Sequence, residues 1–322
     1  MKITRKMNVD GTLGPLALNY LSGIPEEYVF FRQQQLRHPA SIYDLSLRKL
    51  TDAFVAVLDG YARDTIRIGS GPDGGFELKS LLDAQEHLLR CLQEHLDDCH
   101  LVLKTLIDPA ATKAKNSFTT QYIKESKLPG AKAFMEATAD YKVSLRIANK
   151  LKHNQNRLRG VGVYPTGSCV RLGYFVEEPD AVGVIGPSPE VHPDQGAFSF
   201  ARDLKWRFFL VYSLSENLVK AIERALLGLH QYRLERAAPV QNTGDDWNQL
   251  VKTISKVDRA IFPKEEDATH ASVRLAEHET EVSIVFPDRI RIKDPALRGG
   301  RIRVAVSTVG DGFSRQFKVP LP

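Results

Sequence analysis

Hydrophobic positions recur at helical spacing along most of this chain. Apolar residues, many of them leucine, follow one another three or four positions apart in three long stretches. This period is typical of helices that bury one face. It predicts long amphipathic helices over residues 41–68, about 77–107 and about 200–235. The first begins at a capping box, because Ser41 is followed three positions later by Asp44.

A further long helix is predicted from Ala131 to Gly160, and its second half is basic. Between Tyr141 and Gly160 there are six cations and no acid. Four polar residues of this half lie at offsets 0, 3, 4 and 7 and so share one helical face: Arg146, Asn149, Lys150 and His153. The helix over 77–107 is acid-rich on its polar side. We therefore expect the two helices to pack as an antiparallel pair with complementary charge.

Alternating apolar and polar residues predict strands in two other parts of the chain. Residues 161–196 form a predicted β insertion before the last long helix. A shorter helix and several alternating stretches predict a small C-terminal α+β module over 246–322. Residues 1–40, which glycine and proline interrupt, predict an N-terminal arm. The predicted fold class is mainly α with β additions, in which a four-helix bundle over 41–236 carries the insertion.

Length and composition narrow the class of protein. A chain of 322 residues suggests about two domains, and a net charge of +5 favours an anionic partner. The three cysteines, Cys91, Cys99 and Cys169, do not make a disulfide framework, so a cytoplasmic location is expected. No stretch has the roughly 20 apolar residues that span a bilayer, and the N-terminus lacks the apolar run of a signal peptide. No membrane association is therefore predicted.

The segment around His153 resembles a known family. An arginine followed after four to six residues by histidine, on a late helix of a bundle, is the motif of the HEPN family, the higher-eukaryote and prokaryote nucleotide-binding domains. Six residues separate Arg146 from His153, and the sequence NKLKHNQNRL resembles the polar segment around the family's histidine. The resemblance covers roughly residues 41–235. Active nucleases of the family usually have a polar residue directly after the arginine, whereas this chain has Ile147.

The resemblance implies a homodimer that cleaves RNA without a metal or another cofactor, at a cleft where two copies of the motif meet. It implies that His153 exchanges a proton with the 2′-hydroxyl or the leaving oxygen, for which an imidazole of pKa about 6.5 is suited. Arg146 would bind the phosphate and Asn149 would orient it. The other cations of the segment would bind the RNA backbone: Lys150, Lys152, Arg157 and Arg159. A role in toxin or phage-defence systems is also implied.

A non-catalytic protein is the alternative reading of the same residues. In that reading the bundle uses its basic helix and the C-terminal β segment to hold a protein or nucleic-acid partner. Burial of His153 against the acids of the helix over 77–107 would favour it. The C-terminal module also carries clustered cations, such as Arg289 and Arg291, which suit either a nucleic-acid surface or a solvated sheet face.

Two side-chain stripes leave further alternatives open. His87, Cys91, His95 and Cys99 follow at steps of four, which suits pairs of ligands for a soft metal. The stripe turns by about 120° from end to end, so one helix cannot close all four ligands around one ion, and burial is the commoner role. The aromatic residues at 206–212 lie beside cations, a mixture that suits nucleobase stacking or, more often, a buried helix face.

Overall fold

Within the residues that the structure describes, the protein is mainly helical and has two antiparallel sheets. The computed structural model describes residues 1–7, 11–69, 76–138, 141–153, 156–165, 170–179, 184–234, 244–288 and 300–304. The α-helices within these residues are α1 (Leu16–Ser22), α2 (Pro39–Gly69), α3 (Lys79–Lys104), α4 (Thr119–Glu125), α5 (Ala131–Ala137), α6 (Tyr141–His153), α7 (Phe200–His230) and α8 (Gly244–Lys256). The strands are β1 (Lys2–Lys6), β2 (Arg157–Pro165), β3 (Arg171–Pro179), β4 (Ile185–Pro187), β5 (Phe198–Ser199), β6 (His270–Leu275), β7 (Glu281–Asp288) and β8 (Gly300–Val304).

The three long helices predicted from leucine spacing are confirmed as α2, α3 and α7. α3 packs against α2, α6 and α7, and its leucines at 81, 88, 92 and 96 are buried there. The aromatic residues of α7 belong to the same core, because Phe208, Phe209 and Tyr212 are buried. The stripe at 206–212 is therefore a core face, and nucleobases cannot reach these three rings. No helix of the described residues is long and apolar enough to cross a membrane.

The prediction of one helix from Ala131 to Gly160 is wrong. This segment forms two helices, α5 and α6, and then strand β2, which begins at Arg157. Leu158 is buried, while Arg157 and Arg159 project to the other face and both pair with Glu177 on β3. This alternation of exposed and buried residues is compatible with a strand, and pairing with β3 therefore determines the conformation of residues 157–160.

Gly160 has a different role from the predicted one. The sequence places it at the end of a helix, but it lies inside β2, opposite Tyr174 of β3. A Cβ atom at this position would lie 2.7 Å from Leu78 Cδ1, just before α3. Glycine thus allows the close approach of the sheet to the start of α3, and a larger residue would require the Leu78 side chain to move.

The strand pairings cross the predicted domain boundaries. One sheet has the order β1-β7-β6, so the predicted arm over 1–40 supplies an edge strand to the C-terminal module. The other has the order β4-β3-β2-β8, with β5 also paired to β3. β8 comes from the module predicted over 246–322, yet it pairs with β2 of the predicted insertion over 161–196. That insertion begins at Arg157 instead of residue 161.

A buried polar network joins α3, β3 and α7. The Asp203 carboxylate accepts hydrogen bonds from the Tyr174 hydroxyl at 2.8 Å, the Gln85 amide at 3.0 Å and Arg207 Nε at 3.0 Å. Asp203 is 6% exposed and Arg207 is 1% exposed. Because both charges lie away from water, each one depends on the other for compensation.

A buried histidine fastens the loop between β4 and β5. His192 Nδ1 donates to the Gly196 carbonyl oxygen at 2.6 Å, and Nε2 accepts from the Val176 N–H at 3.0 Å. This assignment of donor and acceptor follows from the two backbone partners and requires a neutral ring. Burial lowers the pKa of His192 to about 4.

Candidate nucleic-acid interface

Helix α6 presents a polar face to solvent and an apolar face to the core. Arg146, Asn149 and Lys152 are exposed, while Ile147 and Ala148 are buried. The Gln93 side chain of α3 donates to Asn149 Oδ1 at 3.2 Å, so the amide has a partner at the α3–α6 contact. The residue that departs from the HEPN pattern, Ile147, is thus a core residue at this position.

Lys150 is held in an ion pair instead of projecting freely. Its Nζ lies 2.8 Å from both carboxylate oxygens of Glu178 on β3 and 3.0 Å from Glu190 Oε2. Burial alone would lower the pKa of Lys150, but the two carboxylates raise it above its ordinary value. For Glu178 burial acts in the opposite direction and raises the pKa. Hydrogen bonds from Lys150 and Ser188 outweigh it, so the pKa of Glu178 lies below its ordinary value. The pair fastens α6 to the sheet.

The two arginines of β2 share one carboxylate. Arg159 makes a bidentate contact with Glu177, with Nε at 2.6 Å from Oε2 and Nη2 at 3.2 Å from Oε1. Arg157 Nε lies 3.2 Å from Glu177 Oε1, and its side chain is 57% exposed against 11% for Arg159. Arg159 is therefore committed to its partner, while Arg157 retains most of its contact with solvent.

Arg146 is the most available cation of the predicted motif whose contacts are described. Its Nε lies 3.8 Å from Glu190 Oε1, and both side chains are more than half exposed. A pair this long and this exposed adds only about 0.2–1 kcal/mol, so an incoming phosphate can displace it. A guanidinium offers the planar, bidentate geometry that phosphate binding uses.

His153 ends α6, but its side chain lies outside the described residues, as does that of Lys142. His153 lies seven positions after Arg146, which corresponds to about 10 Å along the helix axis. The backbone therefore places the two residues two turns apart on one side of α6. Cys169 and the C-terminal arginines Arg289 and Arg291 also lie outside the described residues.

The carboxylates that pair with the basic segment differ from those predicted. The acids of α3 are expected to face it, but the described ion pairs of α6 go to Glu178 on β3 and Glu190 in the loop after β4. Burial raises the pKa of Asp97, one of the α3 acids, and Lys152 is close enough to offset part of this rise. The only sequence signal for the pairing with the sheet is the pair of glutamates at 177–178 in an alternating segment. Sequence reasoning misses it because strand β2, which brings Glu177 beside the arginines, is predicted as helix.

Three residues of the histidine and cysteine stripe on α3 face the core, namely Cys91, His95 and Cys99, whereas His87 is exposed. Cys91 Sγ lies 3.6 Å from His87 Nε2, and burial raises the pKa of this thiol to about 11. His95 is buried, with Nδ1 2.9 Å from Ser46 Oγ, and burial lowers its pKa to about 3. Cys99 is fully buried. Within the described residues, no group of three His, Cys, Asp or Glu side chains is placed to hold a metal ion.

Comparison with protein-family models, with curated proteins and with solved structures finds no match to this chain.

Proposed function

We propose that the protein binds RNA through the exposed face of α6 and cleaves it without a metal, in the manner of a HEPN-like bundle built from α2, α3, α6 and α7. The observation that supports this most is the exposure of Arg146 on the same side of α6 as the position of His153. A guanidinium for the phosphate and an imidazole for proton transfer are sufficient for attack by a 2′-hydroxyl.

The contacts divide the basic residues into two roles. Arg146 binds the phosphate, His153 exchanges the proton, and Asn149 orients the backbone next to them. Lys152 and Arg157, which are exposed, attract the flanking phosphates. Lys150 and Arg159 are committed to carboxylates, so they position α6 and β2 instead of contacting RNA. The resemblance to the HEPN family implies that two copies of the motif face one another, so we expect the active form to be a homodimer.

RNA cleavage in EDTA tests the proposal directly. Wild type is compared with Arg146→Ala, His153→Ala and the matched control Lys132→Ala, an exposed cation on α5. Cleavage by wild type and the control, with loss in the two motif variants, is the expected result. A DNA strand of the same sequence should be bound and left intact, because it lacks the 2′-hydroxyl. Metal-dependent cleavage, or activity that survives both motif substitutions, would contradict the proposal.

Two further measurements test the dimer and the biological role. Sedimentation should give twice the chain mass at micromolar concentration, and a monomer would remove the shared cleft. A toxin-like ribonuclease should arrest growth when it is expressed in bacteria, and His153→Ala should relieve the arrest. If wild type and His153→Ala slow growth equally, the toxicity does not depend on the motif.

A non-catalytic interaction protein is the second candidate, and the carboxylates favour it. Glu177, Glu178 and Glu190 lie among the cations, so the surface is mixed in charge and partly neutralised. Such a surface suits a specific protein partner better than a long anionic strand. RNA binding without cleavage, or the absence of both, would favour this function.

A further inference from the structure

A pocket of about 380 Å³ opens between α7, the end of α8 and strand β6. None of its lining residues belongs to α6, β2 or β3, so it is separate from the candidate nucleic-acid interface. Its volume lies in the range of about 300–1,000 Å³ that is usual for small-molecule sites.

The charges around this pocket are mainly positive. Its lining includes the cations Arg202, Lys205, Arg259 and Arg274 and the carboxylates Asp258 and Asp288. Arg274 Nη2 lies 3.0 Å from Asp288 Oδ2, and Arg202 Nη1 lies 3.3 Å from Glu265 Oε1. Two of the four cations are therefore matched by acids.

The other two cations, Lys205 and Arg259, make no ion pair with any described residue. Lys205 Nζ donates to the carbonyl oxygens of Val257 at 2.6 Å and Asp258 at 3.1 Å, which are uncharged groups. Burial lowers the pKa of Lys205 to about 8, and Asp258 only partly offsets it while Arg259 adds to it. Within the described residues, Lys205 and Arg259 thus lie at one pocket without a direct ion pair, and Asp258 is the carboxylate that acts on Lys205. An anion bound there would relieve the remaining repulsion between the two cations.

Two neutral polar atoms at the same pocket also lack a hydrogen-bond partner among the described residues. His270 is 6% exposed, and its Nε2 makes no hydrogen bond with the part of the chain that the structure describes. The hydroxyl of Ser272, two residues along β6, is likewise unpartnered within those residues. Buried polar atoms are nearly always satisfied in folded proteins, so an unpartnered hydroxyl at a pocket is available to a bound molecule.

We propose that this pocket binds a small phosphate monoester, whose phosphate lies between Lys205 and Arg259 and takes the Ser272 hydroxyl as a further donor. A phosphate carries close to two negative charges and several acceptor oxygens, which matches two unpaired cations and a neutral donor. The organic part of the ester fits the remaining volume, where Val257 and Val273 supply an apolar wall. Inorganic phosphate would leave that wall uncovered.

Isothermal titration calorimetry of the full chain, with three probes, tests this site. Adenosine 5′-monophosphate should bind with saturation, inorganic phosphate about tenfold more weakly, and adenosine not measurably. Lys205→Gln and Arg259→Gln should each weaken binding of the monophosphate about tenfold or more, because a charge-assisted contact is lost. Lys220→Gln, an exposed lysine on the same helix α7 that does not line the pocket, should bind like wild type.

Any of four results would overturn the proposal. The first three are no saturable binding below about 1 mM monophosphate, equal affinity for adenosine and its monophosphate, and wild-type affinity in Arg259→Gln. The fourth is inorganic phosphate that binds as tightly as the monoester, because the organic part would then contribute nothing. Arg259 is exposed, so its variant keeps its fold even where Lys205→Gln loses the two carbonyl contacts.

Discussion

Replacing Asp203 by asparagine would measure what burial adds to a simple helical ion pair. Asp203 and Arg207 are four residues apart on α7, with Oδ1 and Nε at 3.0 Å. Asp44 and Arg48 repeat the same order and spacing on α2, at 2.9 Å. The two pairs differ in environment, because the Arg207 side chain is 2% exposed and that of Arg48 is 55% exposed.

The expected cost follows from this difference in exposure. The Asp203→Asn substitution would leave the Arg207 guanidinium buried without a counterion, which typically costs about 3–5 kcal/mol of the free energy of unfolding. Asp44→Asn removes a solvent-screened partner and should cost below about 0.5 kcal/mol. Against a total stability of about 5–15 kcal/mol, the first loss is a large fraction and the second is small.

Urea denaturation followed by circular dichroism gives both values on one scale. The double variant Asp203→Leu/Arg207→Met should recover part of the loss, because removing both charges ends the desolvation penalty. An Asp203→Asn loss below about 1 kcal/mol, or one equal to that of Asp44→Asn, would refute the reasoning from burial. An unchanged denaturant dependence is required for the comparison, since it shows that the same surface is exposed on unfolding.

Three more outcomes are expected. Gly173→Ala should cost several kcal/mol or abolish folding, because a Cβ there would overlap the backbone carbonyl of Phe198; a thermal shift of less than about 3 °C would contradict this. Glu190→Gln should raise RNA affinity about two- to fivefold in low salt, since it removes a negative charge beside Arg146; unchanged or weaker binding in a gel shift would count against RNA at this surface. His192 has a folded pKa of about 4, below its unfolded value near 6.5, so the stability it provides is present above pH 6.5 and is lost as the pH falls towards 4. Between pH 7 and 5.5 wild type should therefore lose about 1 kcal/mol more than His192→Gln in urea denaturation, and equal losses would contradict a neutral buried ring.

The long helices could be predicted because their signal is local. Leucine spacing on α2, α3 and α7 is a property of each segment, so the helices can be recognised without knowing what each one packs against. The start of β2 could not be predicted in this way. The residues from Arg157 to Gly160 follow a helical segment without a strong break, and their conformation is decided by β3, which comes later in the chain.

The candidate site was accessible from sequence only in part. The helical offsets place Arg146 and Asn149 together, and the structure exposes both on α6. The sequence could not predict which cations form ion pairs. Glu177, Glu178 and Glu190 reach them only because of sheet pairing and a loop. The pairs Asp203–Arg207 and Asp44–Arg48 show the same limit, since an identical spacing gives one buried and one exposed pair.

The ion pairs also limit how many cations of the basic segment can bind an anionic partner. A run of six cations without an acid suggests a broad anion-binding surface, yet Lys150 and Arg159 are consumed in holding α6 and β2 against β3. The remaining described cations, Arg146, Lys152 and Arg157, are few, so electrostatic attraction alone gives only a shallow dependence of binding on salt. Each phosphate contact on a single strand contributes a slope of about 0.7 in log affinity against log salt. Three contacts per chain thus predict a slope of about 2, which is small enough that cleavage at this surface would have to depend on the placement of His153 more than on the amount of positive charge.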